Sequence, residues 1–241
     1  DFSYDMYHQK GISYFPIYLN SKFNERIVSE NTDYTLLINK DEDARLYELY
    51  GKRMDLCIPV FIDDRAYKQD AIKHRNDSLN LLFVGSAFFA NIHAIKWFIK
   101  NVMPYVDANL TVVGKGLKEA LSEDLNEKIN ILGFVEDLST VYASHQLVIA
   151  PIFLGAGMKV KVAEAFMYGK FVVGSEKAFC GYEKNEDIMS ICLDVDSYIK
   201  IINSYPKDRY YVKEAYDYFV ENYSTKSAHE KLNRFRIDNN I

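Results

Sequence analysis

The sequence predicts an α/β protein in which one complete, doubly wound parallel-sheet domain follows part of a second α/β domain. Short apolar runs alternate with helical patterns from residue 79 onward, and glycines follow several of the runs. Most runs are continuously apolar rather than alternating, as in strands that helices cover on both faces. Alternation of this kind produces right-handed crossovers and an open parallel sheet.

The composition is typical of a soluble globular protein with a sizeable core, since 49% of the 241 residues are hydrophobic and 26% are charged. The formal net charge is −5 and the basic residues form no long run, which argues against nucleic-acid binding. No apolar stretch is long enough to predict a spanning helix. Cys57, Cys180 and Cys192 lack metal-ligand spacing and are expected to be reduced thiols.

Residues 1–64 are predicted to be the C-terminal part of a preceding α/β domain whose first part is missing. Two βα units cannot cover both faces of a sheet, and the chain opens on Asp1 without a methionine, so we expect a fragment of a longer protein. The predicted elements are a helix near 17–31, a strand at 34–39, a helix at 40–51 that ends at Gly51, and a strand within 56–63.

Residues 65–206 are predicted to form the complete domain. Its clearest helix, at 91–103, repeats apolar residues at helical spacing, and Asn91 is the predicted N-cap. The polar stretch 64–78 is the predicted linker. Residues 207–241 are predicted to form two helices, with Ser224 capping the second. The six predicted strands lie at 79–84, 109–113, 129–132, 146–150, 170–174 and 188–193.

Ligands of open parallel sheets bind beyond the carboxyl ends of the strands, so the residues that follow each strand are candidates for a site. Glycine is common in any turn between a strand and a helix, but its clustering at one rim also fits a closely approaching ligand. The candidates at these positions are Gly85, Ser86, Gly114, Lys115, Gly133, Phe134, Val135, Gly155 and Gly157.

The sharpest signal lies in residues 155–164. We expect Gly157 to open a helix whose free N–H groups and positive dipole face the crevice. Lys161 would add a charge there, and Glu164 lies on the same helical face. A phosphate near Lys161 and a sugar diol near Glu164 would use both groups, with Lys159 joining only if the first turn is irregular. The alternative is a surface ion pair worth about 0.2–0.5 kcal/mol.

The sequence gives little support for other kinds of functional site. The segment after the first strand lacks G-x-G-x-x-G spacing, which argues against a dehydrogenase. The five histidines show no metal-ligand spacing, and there is no G-x-S-x-G element. No nucleophile or general base is identified, so the catalytic residues stay unknown.

Four segments, in this order, carry a family resemblance: LLFVGSAFFANIHAIKWFIKNVMP, LTVVGKG, INILGFVEDLSTVYAS and VIAPIFLGAGMKVKVAEAFMYGKFVVGS. Over residues 79–236 they resemble the donor-binding, Rossmann-like half of GT-B glycosyltransferases, specifically family 4, the glycosyl transferases group 1 domain. Residues 33–63 look like the last units of the acceptor-binding domain of that family. The terminal helix is then expected to cross back onto that domain.

The resemblance implies a glycosyltransferase that moves a sugar from a nucleotide-diphosphate sugar to a glycan or lipid-linked acceptor. It implies a retaining reaction that needs no bound metal or other cofactor. The expected location is the cytoplasm, and the resemblance also allows the whole protein to associate peripherally with the inner face of a membrane. By position, Glu164 resembles the glutamate that binds the ribose. Lys161, with Lys159, falls where cations steady the diphosphate. Gly133, Phe134 and Val135 fall where backbone groups meet the base.

Two departures from the family limit this expectation. The earlier glutamate of the E-x7-E motif is replaced by Ala156, and the basic residue after the first strand is absent from GSAFFANIH. The acceptor site would lie on the missing domain, so this chain alone is expected to bind donor without turnover. A non-catalytic binding or assembly module is the alternative. An epimerase of UDP-linked amino sugars would need carboxylates and a histidine that this segment does not display.

The start of the chain is also expected to leave an apolar patch uncovered. The aromatic side chains there would normally be covered by the missing part of the domain, so self-association of the fragment is expected. These residues are Tyr4, Tyr7, Tyr14 and Phe15.

Overall fold

The computed structural model describes residues 15–66, 78–122, 126–155 and 157–241. Ala156, most of the predicted linker and the aromatic residues before Phe15 lie outside these ranges, and Phe15 itself is exposed. In chain order the elements are α1 (Phe15–Glu30), β1 (Leu36–Leu37), α2 (Glu42–Tyr50), β2 (Leu56–Cys57), β3 (Leu79–Val84), α3 (Phe89–Asn101), a 3₁₀ helix (Met103–Tyr105), β4 (Ala108–Val113), α4 (Leu117–Ala120), β5 (Ile129–Gly133), α5 (Ser139–Ala143), β6 (Leu147–Ala150), α6 (Val160–Met167), β7 (Phe171–Gly174), a second 3₁₀ helix (Glu176–Phe179), β8 (Met189–Ile191), α7 (Val195–Ser204), α8 (Lys213–Asn222) and α9 (Thr225–Asn239).

The main sheet has six parallel strands in the order β5-β4-β3-β6-β7-β8. The chain runs outward from β3 to β4 and β5, then returns to place β6 on the other side of β3. Leu81 of β3 pairs there with Leu147 of β6. A reversal of strand order opens a crevice at the carboxyl ends of the two strands where it occurs. All six predicted strands are confirmed, with boundaries within two residues.

The core lies on both faces of this sheet, which explains why the strand sequences are continuously apolar. Every residue of β6 and of β7 is buried. Helix α3 buries Ile95 and Phe98, and α6 buries Val162 and Phe166. Each such large side chain contributes about 1.5–3 kcal/mol relative to an exposed position.

Helix α3 begins two residues earlier than predicted, and Asn91 is not its N-cap. Phe88 takes that position in an extended conformation, which places Asn91 within the first turn. The Asn91 side chain is instead occupied by contacts with the crevice described below. The helix also ends earlier than predicted, at Asn101, and a 3₁₀ turn that contains Pro104 follows. Proline has no N–H with which to continue the α-helical hydrogen bonds.

The N-terminal part contains the predicted strand–helix–strand unit, since β1 and β2 pair in parallel and α2 lies between them in sequence. Gly51 closes α2 with φ of 68° and donates its N–H to the Tyr47 carbonyl at 2.8 Å, as predicted. Both strands are much shorter than predicted, with two residues each. Within the described ranges this sheet has only these two strands, and so small a sheet is marginally stable by itself.

The two C-terminal helices join both parts of the molecule. Ser224 caps α9 by accepting a hydrogen bond from the Ser227 N–H at 3.1 Å, as predicted. The Ile62 N–H donates to the Tyr223 carbonyl at 3.0 Å, and the Tyr34 ring meets Phe235 of α9 edge-on at 5.3 Å between centroids. The predicted domain boundaries, at residues 64 and 206, stay predictions.

A buried lysine lies at the amino ends of the strands, whereas the crevice lies at their carboxyl ends. Lys170 precedes β7, is 2% exposed, and donates from Nζ to the carbonyls of His145 at 3.0 Å and of Tyr210. Burial lowers the pKa of its ammonium to about 7. The unfolded chain, where lysine has a pKa of about 10.4, therefore holds one more proton than the native protein between pH 7 and 10.

We therefore predict that Lys170 makes the protein more stable as pH rises from about 7 to 9. Its share of the slope is about 1.4 kcal/mol of unfolding free energy per pH unit, because folding releases one proton in this range. Urea unfolding at several pH values measures the slope, which Lys170→Met is expected to reduce by that amount. Lys200→Met, on the exposed face of α7, is the matched control. An unchanged slope in Lys170→Met would contradict the prediction.

Candidate functional site

A partly buried cation lies at the crevice between β3 and β6. Lys161 is the second residue of α6, and its Nζ donates to Asn91 Oδ1 at 2.7 Å. The same ammonium lies 4.1 Å from the centroid of the Phe83 ring, at the end of β3. Helix α6 follows β6, so the strand order brings Lys161 back over the carboxyl end of β3. This is the edge at which sequence analysis predicted a ligand.

Burial determines the charge state of this lysine. It lowers the pKa of Lys161 to about 7; the nearby Lys159 lowers it further, and Glu164 opposes both. The partner Asn91 is neutral and does not supply the missing counter-charge. An anion at this position would restore the protonated form, because an opposite charge nearby favours the ammonium.

Glu164 lies one turn further along α6 and is also partly buried. Its Oε2 accepts a hydrogen bond from the Tyr142 hydroxyl at 3.0 Å. The Tyr142 ring is fixed in turn by stacking on Tyr168, with 4.3 Å between centroids. Burial raises the pKa of Glu164, while the Tyr142 hydrogen bond and the charges of Arg65 and Lys161 lower it.

Lys161 and Glu164 do not form the surface ion pair that was the alternative interpretation. No ion pair joins them in the described part of the chain, and each has a different partner. Lys161 bonds to Asn91 of α3, and Glu164 bonds to Tyr142 of α5. The two side chains leave the helix toward the crevice rather than toward each other.

The start of α6 differs from the prediction that Gly157 opens the helix. The first helical residue is Val160, and Lys159 is an extended N-cap with φ of −98°. Gly155 and Gly157 form the preceding loop with φ of 91° and 70°, values that favour glycine. The helix starts later because both glycines hold left-handed conformations that a helix cannot include.

Sequence analysis missed the residue that holds this first turn. The Tyr182 hydroxyl donates to the Lys159 carbonyl at 2.9 Å and accepts from the Ala163 N–H at 3.2 Å. In a regular α-helix the Ala163 N–H would donate directly to the Lys159 carbonyl, and here the Tyr182 hydroxyl bridges the two groups. Lys159 donates from Nζ to the Gly157 carbonyl, and burial lowers the pKa of this ammonium. The two lysines therefore lie on either side of the helix start with different partners.

The loops after β3, β4 and β5 are joined through their backbones. The Gly85 N–H donates to the Val113 carbonyl at 2.9 Å, and the Gly114 N–H donates to the Gly133 carbonyl at 2.7 Å. Gly114 has φ of 152°, and a Cβ there would lie 1.6 Å from the Gly85 carbonyl oxygen. Close packing of backbones thus explains Gly114. A Cβ at Gly85 would instead lie 2.7 Å from Lys161 Nζ, so glycine there leaves room for the cation.

The other predicted residues line the same rim in different ways. The Ser86 carbonyl accepts from Asn91 Nδ2 at 2.9 Å, and the Lys115 carbonyl accepts from the Ala87 N–H at 2.9 Å. Phe134, after β5, is 73% exposed, whereas its neighbour Val135 packs partly against the core. The strand topology therefore places all these predicted loops at one edge of the sheet.

The described ranges hold no group of three or more His, Cys, Asp and Glu side chains that could bind a metal ion. Among the helices that the structure describes, none combines the length and the apolar composition needed to cross a membrane.

Sequence comparison decides the family. The sequence model described as "Glycosyl transferases group 1" matches residues 78–203, just over half of the chain. The chain belongs to the glycosyl transferases group 1 family. The match contains the six-stranded sheet, the crevice, Lys161 and Glu164.

The chain is also similar to a curated relative over most of its length. The chain is 29% identical over 244 residues to an uncharacterized 44.6 kDa protein in the cps region of Klebsiella pneumoniae, covering 92% of this chain and 61% of the relative. This chain thus spans about three fifths of the length of the relative.

Solved structures confirm the GT-B fold. TarM aligns with a TM-score of 0.68 at 14% identity, over 90% of this chain and 46% of TarM. Anabaena Alr3699/HepE, in complex with UDP and glucose, aligns with a TM-score of 0.66 at 12% identity, over 92% of this chain and 66% of HepE. The lipopolysaccharide outer core galactosyltransferase WaaB aligns with a TM-score of 0.58 at 13% identity, over 86% of this chain and 62% of WaaB.

Two glycine variants should distinguish the glycine that backbone packing requires from the glycine that lies beside the Lys161 ammonium. We predict that Gly114→Ala lowers the unfolding free energy by about 3 kcal/mol or more, because the new Cβ meets a carbonyl oxygen and the positive φ adds strain. Gly85→Ala should change it by about 1 kcal/mol or less, because only side-chain ends need to move. Urea unfolding measures both values. A Gly85→Ala protein as unstable as Gly114→Ala would contradict the prediction.

Proposed function

We propose that this chain carries the nucleotide-sugar-binding part of a glycosyltransferase that acts on a glycan or glycoconjugate acceptor. The observation that carries the proposal is the partly buried Lys161 ammonium at the crevice between β3 and β6, one turn before the partly buried Glu164 carboxylate. Family membership supports the reaction class. A relative from a cps region and neighbours bound to UDP and glucose agree with it.

The diphosphate of the donor is proposed to lie against Lys161 and the amino end of α6. The ligand would supply the negative charge that Asn91 does not, and the first N–H groups of the helix add a positive dipole end. Cations and backbone amides fixed in this way stabilise the charge that develops on a leaving diphosphate. This arrangement suits a reaction without a bound metal ion, which we propose together with retention of the anomeric configuration.

The ribose is proposed to lie at Glu164. Tyr142 occupies Oε2, which leaves the second carboxylate oxygen and further lone pairs to accept from sugar hydroxyls. The base would then lie toward the loop after β5, where Gly133, Phe134 and Val135 follow the strand. Lys159 would assist only after leaving the Gly157 carbonyl.

The acceptor is proposed to bind on the part of the protein that this chain does not span. A cavity of about 130 Å³ lies between the N-terminal part and α8–α9, lined by Asn39, Lys40, Cys57, Tyr182 and Tyr218 among others. This cavity is smaller than the roughly 300 Å³ that small-molecule sites usually need, whereas a second cavity, of about 410 Å³ and lined by Asp41, Lys177 and Lys184 among others, exceeds that volume. Because this chain covers only 61% of the length of its curated relative, we propose that it binds donor without turnover. The full-length protein would act in polysaccharide assembly on the cytoplasmic side of a membrane.

A non-catalytic binding module is the second candidate, and the observation in its favour is Ala156 in place of the first E-x7-E glutamate. Sugar transfer by the full-length protein from a nucleotide-sugar donor would exclude it. Donor binding without transfer by the full-length protein, tested on a panel of glycan acceptors, would favour it.

We predict that Lys161→Met weakens donor binding about 10- to 100-fold, because it removes a charge-assisted contact worth about 1.5–3 kcal/mol. Calorimetric titration of UDP-glucose, GDP-mannose and ADP-glucose into the wild-type chain identifies the best ligand, which is then titrated into the variant. Lys200→Met is the matched control on a distant, exposed helix face. Equal affinity in Lys161→Met and the wild type would remove Lys161 from the site.

We also predict that Glu164 recognises the ribose hydroxyls. The wild type should bind the nucleoside diphosphate of the best donor about tenfold or more tightly than its 2′-deoxy analogue, because a hydrogen bond to a charged group contributes about 1.5–3 kcal/mol. Glu164→Gln should narrow this ratio, and the exposed Glu214→Gln should preserve it. Calorimetry gives both ratios. The same ratio in Glu164→Gln as in the wild type would place the ribose elsewhere.

A further inference from the structure

Asn91 uses both ends of its amide at the crevice. Its Oδ1 accepts from Lys161 Nζ at 2.7 Å, and its Nδ2 donates to the Ser86 carbonyl at 2.9 Å. An ammonium can only donate and a carbonyl can only accept, so the two contacts fix which end of the amide is oxygen. The side chain therefore ties α3, the loop after β3 and the start of α6 to one another.

The local structure of α3 gives no other reason for asparagine at this position. Phe88 is the N-cap, so Asn91 does not cap the helix through its side chain. Asparagine is a weaker helix former than alanine within a helix, by several tenths of a kcal/mol. Its polar contacts go to residues of the crevice instead, one of them 70 positions away in sequence.

The surroundings allow Lys161 little freedom. The Phe83 ring lies 4.1 Å from Nζ, and a Cβ at Gly85 would be only 2.7 Å from Nζ and 2.8 Å from Asn91 Nδ2. The other charged groups that act on this ammonium are Lys159 and Glu164. Among the polar neighbours of Lys161, Asn91 is the neutral one. It orients the ammonium without cancelling the positive charge.

We propose that Asn91 is a positioning residue for donor binding, which holds the Lys161 ammonium and the loop after β3 in one fixed arrangement so that an anionic ligand meets an already oriented cation. This inference rests on the proposed function for the identity of the ligand, but the positioning contact itself is independent of it. A neutral amide suits this role, because an aspartate in its place would form an ion pair with Lys161 and compete with the ligand.

The first experiment measures the contact in the free protein. The pKa of Lys161 is followed through the ¹³Cε chemical shift of labelled lysine, with the signal assigned by its loss in Lys161→Met. Asn91→Asp should raise this pKa from about 7 by a unit or more, because a carboxylate replaces a neutral acceptor. Asn101→Asp, at the far end of the same helix, should leave it unchanged. The same pKa in wild type and Asn91→Asp would overturn the inference.

The second experiment measures the consequence for binding, with the best sugar nucleotide from the panel above. The protonated Lys161 binds more tightly, so wild-type affinity should fall by up to about tenfold per pH unit above pH 7, until it reaches the affinity of Lys161→Met. In Asn91→Asp this fall should begin at a higher pH. At pH 7, Asn91→Ala should bind about tenfold more weakly than the wild type, and should have little further effect when Lys161→Met is already present.

The two experiments distinguish the possible failures. If Asn91→Asp raises the pKa of Lys161 but the wild type binds no sugar nucleotide of the panel, the proposed function is overturned while the positioning contact stands. If the wild type binds and the effects of Asn91→Ala and Lys161→Met simply add, the positioning role is overturned and the proposed function stands. Melting temperatures close to that of the wild type confirm that the variants are folded.

Discussion

The candidate site depends on one ammonium that the fold partly shields from water. Lys161 lies against the Phe83 ring and bonds to a neutral amide, and burial lowers its pKa to about 7. Burying a charge without a counter-charge is unfavourable, so proteins usually pair such groups. Here the polar partner is Asn91, and the position borders the crevice. An anionic ligand would remove the remaining electrostatic penalty, which couples ligand binding to protonation of the lysine.

The strand order explains how Lys161 reaches this place. The chain returns from the β5 edge to insert β6 beside β3, and α6 then begins above the ends of both strands. The loops after β3 and β4 pack backbone against backbone, because Gly114 carries no Cβ that would strike the Gly85 carbonyl. Gly85 leaves space for the ammonium itself. Two glycines that look alike in sequence thus have different roles: Gly114 allows the loops to pack closely, and Gly85 leaves space for the cation.

The sequence predicts the sheet well because its signals are local. Strands covered on both faces are continuously apolar, and the caps at Gly51 and Ser224 depend only on neighbouring residues. Strands β1 and β2 were predicted but are shorter than predicted, because strand length also depends on neighbouring strands. The first turn of α6 starts later than predicted, since a helix start depends on backbone conformation as well as on residue type.

The features of the site that the sequence does not predict are contacts between distant residues. Asn91 and Lys161 are 70 residues apart, and Tyr142 meets Glu164 across 22. Tyr182 reaches the first turn of α6 from the loop after β7. No periodicity or short motif specifies such pairs. The charged residues of the site were therefore predictable as candidates, whereas the neutral residues that orient them were visible only in the structure.

A lowered pKa does not by itself identify a binding site, as Lys161 and Lys170 show. Burial brings the pKa values of both Lys161 and Lys170 to about 7. Lys170 precedes β7, at the amino ends of the strands, and bonds to two backbone carbonyls that need donors. Its ammonium thereby satisfies the protein's own acceptors. Lys161 lies at the carboxyl ends, with one amide oxygen and an aromatic face as its partners, in a crevice that the strand order opens to ligands. Position in the topology and the nature of the partners, rather than the pKa, distinguish a lysine that stabilises the fold from one that is placed to meet an anion.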